Sequence, residues 1–200
     1  MKEFFKNSQD ALVWCCKQGT MGNIYYDNRE NPHSAMAVLG DFTYFDGEPS
    51  KEFALFWPPK AKKDYRILVP CSKEWEEILE KCYEGRIKKI TRYAMKKERD
   101  IFQKEQLKQA IEGVLEKEIQ LFFLDERLFY ECREEEWSYD LTGRFSDFES
   151  FKKLGIGVVA VKNGEVLAGA STYARYDKGI EIEVDTKSKY RRMGLAYGCS

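Results

Sequence analysis

The residues best suited to chemistry lie at the carboxyl end of the sequence, where a strand-like run passes through a basic loop into a helix-like run. Residues 180–185 alternate apolar and acidic side chains, and residues 186–192 then supply four basic ones. A helix that begins after such a loop presents unpaired backbone N–H groups and the positive end of its dipole. Phosphate groups bind at such ends, and Gly194 would let one approach the backbone closely.

The loop lacks both common phosphate-binding signatures, because it contains neither Gly-Lys-Ser/Thr nor a G-x-G-x-x-G run. It fits the pattern Q/R-x-x-G-x-G/A on Arg191, Gly194 and Ala196. In this respect residues 156–200 resemble the central part of a GCN5-related N-acetyltransferase (GNAT). The earlier chain resembles the zwittermicin-resistance-type bacterial branch, which places an extra α/β region before the acetyltransferase domain. The six-residue pattern alone is weak, and a solvated basic turn before a surface helix remains the alternative.

The resemblance implies a cofactor site at the loop and at the end of the strand before it. The family binds the acetyl-CoA diphosphate through loop amides, here those of Arg192, Met193, Gly194, Leu195 and Ala196, with added charge from Arg191 and Arg192. The family's pantetheine arm pairs with a strand end that corresponds here to Val184, Asp185 and Thr186. Ser188 and Met193 depart from the family's usual residues, but each keeps its backbone donor.

The resemblance also implies direct attack of a substrate amine on the acetyl-CoA thioester, with proton transfer in a supplementary role. Candidate bases are Glu181 and Glu183, on the polar face of the alternating strand. A solvated strand face is the alternative for both residues. Tyr173 and Tyr176 are interpreted as packing or substrate-shaping residues. The tyrosine that the family uses to protonate the leaving thiolate would follow Ser200.

Three other positions invite a functional interpretation, but a structural role is favoured for each. His33 follows Asn31-Pro32 in a loop-like setting, and Cys15-Cys16 lie beside Leu12 and Trp14 in a helical pattern that favours burial. Trp137 ends an acidic helix, where the related branch has a similar acidic-Trp ending. It is interpreted as a core anchor in preference to a wall of the acceptor site.

Composition excludes several classes of protein. The 33 basic and 34 acidic residues give a net charge of -1, which argues against a dedicated nucleic-acid binder and against a polybasic membrane anchor. The six cysteines are scattered and there is one histidine, so neither a zinc or other metal site nor a disulfide framework is expected. Without a signal peptide or an apolar run of about 18 residues, a reduced cytoplasmic protein is expected.

Periodicity predicts an α+β (mixed α/β) chain with two domains, residues 1–100 and 101–200. An N-terminal α/β region would precede a GNAT fold that is truncated after the pyrophosphate loop. Helices are expected from Ser8 to Gly19, from Ser72 to Gly85, over 103–114, over 125–137 and over 147–153. Strands are expected over 23–27, 34–39, 41–45, 65–69, 86–95, 119–124, 157–161, 166–173 and 180–185, with an Asn163-Gly164 hairpin turn.

The leading hypothesis for function is an acetyl-CoA-dependent N-acetyltransferase that acts on a small-molecule amine, with no metal, nucleic-acid or membrane partner. A non-catalytic CoA-binding or protein-interaction module of the same fold is one alternative. A protein or peptide N-acetyltransferase is another. Oligomeric state stays open, with a homodimer as one option.

Overall fold

Two four-stranded sheets organise the described part of the chain, which divides into two units. The computed structural model describes residues 3–59, 65–93, 103, 105–106, 109 and 118–200. The first unit comprises Met1–Arg92 with Tyr176–Gly179, and the second comprises Tyr93–Arg175 with Ile180–Ser200. The expected mixture of helices and strands is confirmed. Most of the helix expected over 103–114 falls outside the described residues.

The first unit builds its sheet in the order β1-β2-β3-β4, in which β1, β2 and β3 are antiparallel neighbours and β4 runs parallel to β3. Three helices accompany this sheet. Their bounds and those of the strands are α1 Ala11–Gln18, β1 Asn23–Tyr26, β2 Ser34–Leu39, β3 Phe42–Gly47, α2 Lys51–Leu55, β4 Ile67–Pro70 and α3 Lys73–Cys82.

Local capping chemistry defines the helix ends of this unit. Asp10, rather than the expected Ser8, caps α1 by accepting from the backbone N–H of Leu12. Gly19 ends α1 as expected, at φ 67°, where its N–H bonds to the carbonyls of the last turn. Ser72 caps α3 as expected by accepting from the backbone of Trp75. A second Ser cap, at Ser50, begins the short α2, which the periodicity did not predict.

The core of the first unit forms where α3 covers the sheet. Trp75 is fully buried, its indole N–H donates to the Gly47 carbonyl at 3.1 Å, and its ring lies 5.1 Å from that of Phe45. The strand expected over 86–95 is wrong for residues 87–93, which are irregular. Ile87, Ile90 and Tyr93 are exposed. Their spacing resembled a strand, but no neighbouring strand pairs with these described residues.

The second unit has the sheet order β5-β6-β7-β8, in which β5, β6 and β7 are antiparallel neighbours. The helix expected over 125–137 begins after its Asp125 cap but ends at Glu131, where turns replace it. The helix near 147–153 forms with a capping box at Asp147. The bounds are β5 Gln120–Phe123, α4 Glu126–Glu131, a 3₁₀ helix Tyr139–Leu141, α5 Phe148–Leu154, β6 Gly157–Lys162, β7 Glu165–Tyr176, β8 Gly179–Thr186, a 3₁₀ helix Ser188–Tyr190 and α6 Leu195–Cys199.

Candidate functional site

The basic loop leaves β8 through a 3₁₀ turn and enters α6 with two left-handed residues. Arg192 has φ 67° and Gly194 has φ 77°. Gly194 tolerates this conformation at no steric cost, whereas a non-glycine residue such as Arg192 adopts it only under local constraint. Arg191, Arg192 and Met193 are exposed to solvent. The backbone of the loop is therefore bent sharply at the place where the sequence predicts an anion site.

Four hydrogen bonds fix the start of this loop within the second unit. Lys187 donates its backbone N–H to the Leu167 carbonyl at 2.9 Å, and its ammonium group bonds to Glu135 and Glu165. These carboxylates raise the pKa of Lys187 and keep it charged. Arg191 donates its Nε–H back to the Thr186 carbonyl at 3.2 Å. These bonds therefore hold the start of the loop in a fixed position beside the sheet.

Helix α6 is anchored by its apolar residues, which leaves its first turn facing the loop. Leu195 and Cys199 are buried with Ile119, Ala160 and Ala168. The Gly198 N–H donates to the Gly194 carbonyl at 3.1 Å, so helical bonding begins at Gly194. The amides before Gly198 have no carbonyl four residues earlier within the helix. These amides and the two exposed arginines are the donors that the sequence analysis assigned to a diphosphate group.

The strand before the loop exposes the apolar face that its alternation predicts to be buried. Ile182 is 53% exposed and Val184 36% exposed, although an apolar face would ordinarily be buried. Glu181, Glu183 and Asp185 are instead half-buried. These acidic side chains are therefore less exposed than Ile182 and Val184 on the other face of the strand. The strand β8 is last in the sheet order, so the residues that the structure describes pair with one of its edges only.

Glu183 lies in an environment that disfavours its charged form. Burial raises its pKa, and the negative charges of Asp140 and Asp185 raise it further. The Arg144 guanidinium and a backbone hydrogen bond oppose this shift, but the net direction is upward. A carboxylate held in this way accepts a proton more readily than an ordinary glutamate does near neutral pH.

The sequence did not single out Asp140 and Arg144, which the fold places near Glu183. Arg144 donates to Asp140 at 2.7 Å, and its guanidinium carbon lies 5.1 Å from the centre of the Tyr173 ring. Their opposite charges at i,i+4 were the available signal, but that spacing is common on exposed helices. Only the folded chain brings them close enough to Glu183 for their charges to act on its pKa.

The predicted cofactor residues fall on one continuous stretch of the second unit. Val184, Asp185 and Thr186 end β8, and the loop that they lead into holds the remaining predicted contacts. The Thr186 N–H donates to the Asp185 side chain at 2.9 Å. The β8 backbone therefore leads, through the 3₁₀ turn, into the basic loop.

The three weaker candidates occupy different settings. His33 is exposed in the loop before β2, and its backbone N–H donates to Asp27. Cys15 and Cys16 are buried in α1, as the pattern predicted, and burial raises the pKa of the Cys16 thiol to about 12. Trp137 is only half-buried and donates its indole N–H to Glu135 at 3.0 Å, so it is not the core anchor that was favoured.

Comparison with known proteins gives the family. The GNAT acetyltransferase family matches residues 2–200, nearly the whole chain. The chain belongs to this family. It is similar to the GCN5-related N-acetyltransferase-like protein from Streptococcus suis 89/1591, with a TM-score of 0.88 and 37% identity. The match covers 98% of this chain and 77% of the S. suis chain. No curated protein matches the present chain.

Family membership makes acetyl-CoA the expected cosubstrate, because GNAT acetyltransferases generally use it. The mixed α/β architecture with two sheets is that of the S. suis structure. Among the residues described, no group of three His, Cys, Asp or Glu side chains could hold a metal ion. None of the described helices is long and apolar enough to cross a bilayer.

Proposed function

We propose that this GNAT family member is an acyl-CoA-dependent N-acetyltransferase that transfers the acetyl group of acetyl-CoA to the amine of a small molecule. One observation carries the proposal. The sharply bent loop at Arg192 and Gly194 follows, after one 3₁₀ turn, the strand that holds the half-buried Glu183. A phosphate-binding turn and a proton acceptor thus lie on one continuous segment. We also propose that the chain belongs to the zwittermicin-resistance-type branch, which would agree with a small-molecule acceptor.

The loop and strand would share the work of binding. Backbone amides from Arg192 to Ala196 would hold the diphosphate, while Arg191 and Arg192 supply positive charge. The β8 backbone at Val184, Asp185 and Thr186 would align the pantetheine arm. Binding of this kind holds the thioester close to the amine in a fixed orientation. Such positioning can contribute strongly to the rate of transfer.

Glu183 would act as the general base. The amine nitrogen attacks the thioester carbonyl carbon, the new C–N bond forms and the C–S bond breaks. The proton that the amine loses passes to the Glu183 carboxylate, directly or through one water molecule, and the CoA thiolate leaves and takes a proton from solvent. Glu181, two residues earlier on the same face, is the second candidate for this role.

The acidic face of β8 favours an amine that carries positive charge before it reacts. Glu181, Glu183 and Asp185 would attract a protonated amine, which would lose one proton to solvent before attack, so that Glu183 takes the second proton as the C–N bond forms. We further propose that residues 1–100 and 101–200 act as two domains, of which the second holds the site. A homodimer remains compatible with this proposal.

Calorimetry with acetyl-CoA tests the binding step, and release of the CoA thiol tests turnover. The amine panel should contain polyamines, aminoglycosides, amino-acid derivatives and a peptide with a free N-terminus. Saturable binding together with thiol release on a small amine is the expected result. A folded protein that does not bind acetyl-CoA would overturn the proposal. Binding without thiol release on any amine would favour a non-catalytic module, and turnover confined to the peptide would favour a peptide acetyltransferase.

A further inference from the structure

Lys187 is the residue at which β8 passes into the basic loop, and each of its polar groups makes a hydrogen bond. Its backbone N–H donates to the Leu167 carbonyl at 2.9 Å, and its carbonyl accepts from the Tyr190 N–H at 2.8 Å. Its ammonium group bonds to Glu135 at 2.9 Å and to Glu165 at 2.8 Å. Lys187 is therefore joined to the sheet, to the 3₁₀ turn and to two carboxylates at once.

The backbone of Glu135 is held in place, so its side chain reaches Lys187 from a fixed point. The Glu135 carbonyl accepts from the backbone N–H groups of Ser138 at 3.2 Å and Tyr139 at 3.1 Å. The Ser138 hydroxyl lies 3.3 Å from the same carbonyl and 2.9 Å from the Cys132 carbonyl. Because Ser138 is only 2% exposed, the turn that carries Glu135 is anchored in buried structure.

Both carboxylate oxygens of Glu135 accept hydrogen bonds. Lys187 donates to Oε1 at 3.0 Å, and the Trp137 indole N–H donates to Oε2 at 3.0 Å. These two donors together fix the orientation of the carboxylate. The Glu135 and Glu165 side chains are 50% and 46% exposed, and exposed ion pairs add little to stability. The network is therefore better suited to fixing a position than to stabilising the fold.

We infer that Glu135, oriented by Trp137, is a positioning residue that acts through Lys187 to hold the cofactor loop in the shape that binds the acetyl-CoA diphosphate. The inference rests on the proposed function, because it concerns the loop to which that function assigns the diphosphate. Glu135 is assigned no contact with the cofactor. Its effect passes from Lys187 into the loop, where Arg191 closes the turn by donating its Nε–H to the Thr186 carbonyl at 3.2 Å.

The negative charge of Glu135 distinguishes a positioning role from a simple electrostatic one. Repulsion between this carboxylate and an anionic diphosphate would by itself weaken acetyl-CoA binding. Neutralising Glu135 would also leave the Lys187 ammonium freer to attract the phosphates. Both electrostatic effects therefore predict tighter binding when Glu135 loses its charge. A positioning role predicts weaker binding, because the loop amides lose part of their preorganisation.

Calorimetry with acetyl-CoA on the full chain decides between these two signs. Glu135→Gln should weaken binding about threefold, the scale of a single exposed ion pair, and should raise the KM for acetyl-CoA more than it changes kcat. Trp137→Phe, which removes the indole donor and keeps an aromatic ring, should change the affinity in the same direction. Lys187→Arg should bind close to the wild type, because a guanidinium also bonds to carboxylates. In a Lys187→Met background, Glu135→Gln should have no further effect, since Glu135 acts through Lys187.

Glu134→Gln is the matched control, because it removes the same charge from the adjacent exposed residue. It should not weaken binding, and the urea midpoint of Glu135→Gln should match that of the wild type. Unchanged or tighter binding in Glu135→Gln, an equal loss in Glu134→Gln, or a further loss in the Lys187→Met background would overturn the inference while the proposed function stands. A lowered urea midpoint in Glu135→Gln would also overturn it, in favour of a structural role. A folded wild-type protein that does not bind acetyl-CoA would overturn the proposed function instead.

Discussion

The hydroxyl of Ser171 on β7 donates a hydrogen bond to the backbone carbonyl of Leu141 in the 3₁₀ segment. Both residues are buried, and an isolated buried carbonyl would be costly to leave without a donor. The bond joins two parts of the chain that are 30 residues apart in sequence. This bond holds the segment that carries Asp140 against the sheet that carries Glu183.

Glu183→Gln should lower kcat by about 10²-fold or more, the usual contribution of a general base. Burial and neighbouring carboxylates raise the pKa of Glu183, so wild-type kcat/KM should fall, as pH is lowered, at a pH above that of an ordinary glutamate. The variant should lose this fall of kcat/KM at low pH. A pH–rate profile of thiol release measures both effects. Glu181→Gln is the comparison, and a larger loss in that variant would reassign the base.

Gly194→Val should weaken acetyl-CoA binding by at least about tenfold in calorimetry. Gly194 has φ 77°, which a β-branched residue adopts only with strain of about 1–2 kcal/mol, and the added side chain would stand where the phosphate approaches. Gly164→Val is the matched control, because Gly164 has φ 82° in the hairpin turn with open space around it. Equal losses in the two variants would attribute the effect to backbone strain rather than to the loop.

Lys187→Met should reduce acetyl-CoA affinity severalfold while the protein stays folded. The substitution removes the ammonium group that joins the start of the loop to Glu135 and Glu165, so the loop amides lose part of their preorganisation. Calorimetry measures the affinity, and circular dichroism verifies folding. Lys162→Met, which removes the ion pair between Lys162 at the end of β6 and Glu118, should leave the affinity unchanged. An unaltered affinity in Lys187→Met would show that the loop needs no such anchor.

Leu79→Ala should lower the free energy of unfolding of the first unit by about 2–5 kcal/mol. Leu79 is 3% exposed and packs in the cluster that contains Phe45, Phe53 and Trp75, so truncation leaves a cavity there. Urea unfolding followed by tryptophan fluorescence measures the change. Lys81→Ala, on the exposed side of the same helix, should stay within about 0.5 kcal/mol of the wild type. Similar values for the two variants would contradict the assignment of this core.

Features governed by local chemistry could be predicted from the sequence alone. Gly19 as the end of α1, Ser72 and Asp125 as helix caps, and the Asn163-Gly164 turn follow from hydrogen bonding and backbone freedom within a few residues. The same holds for the basic loop that contains Gly194, whose pattern identified the family before any fold was known. Each of these depends only on near neighbours along the chain.

Features that depend on distant residues were decided by the tertiary structure. The alternation in β8 could not tell which face is buried, and packing turned Glu183 inward and left Ile182 exposed. The apolar residues over 87–93 resembled a strand, but a strand requires a hydrogen-bonding partner that local spacing does not supply. In the sequence, Asp140 and Arg144 form an ordinary i,i+4 pair. In the fold, the hydrogen bond from Ser171 to the Leu141 carbonyl holds the segment of Asp140 against the sheet. Local patterns specify turns, caps and loops, whereas burial and electrostatic coupling arise only when separate segments meet.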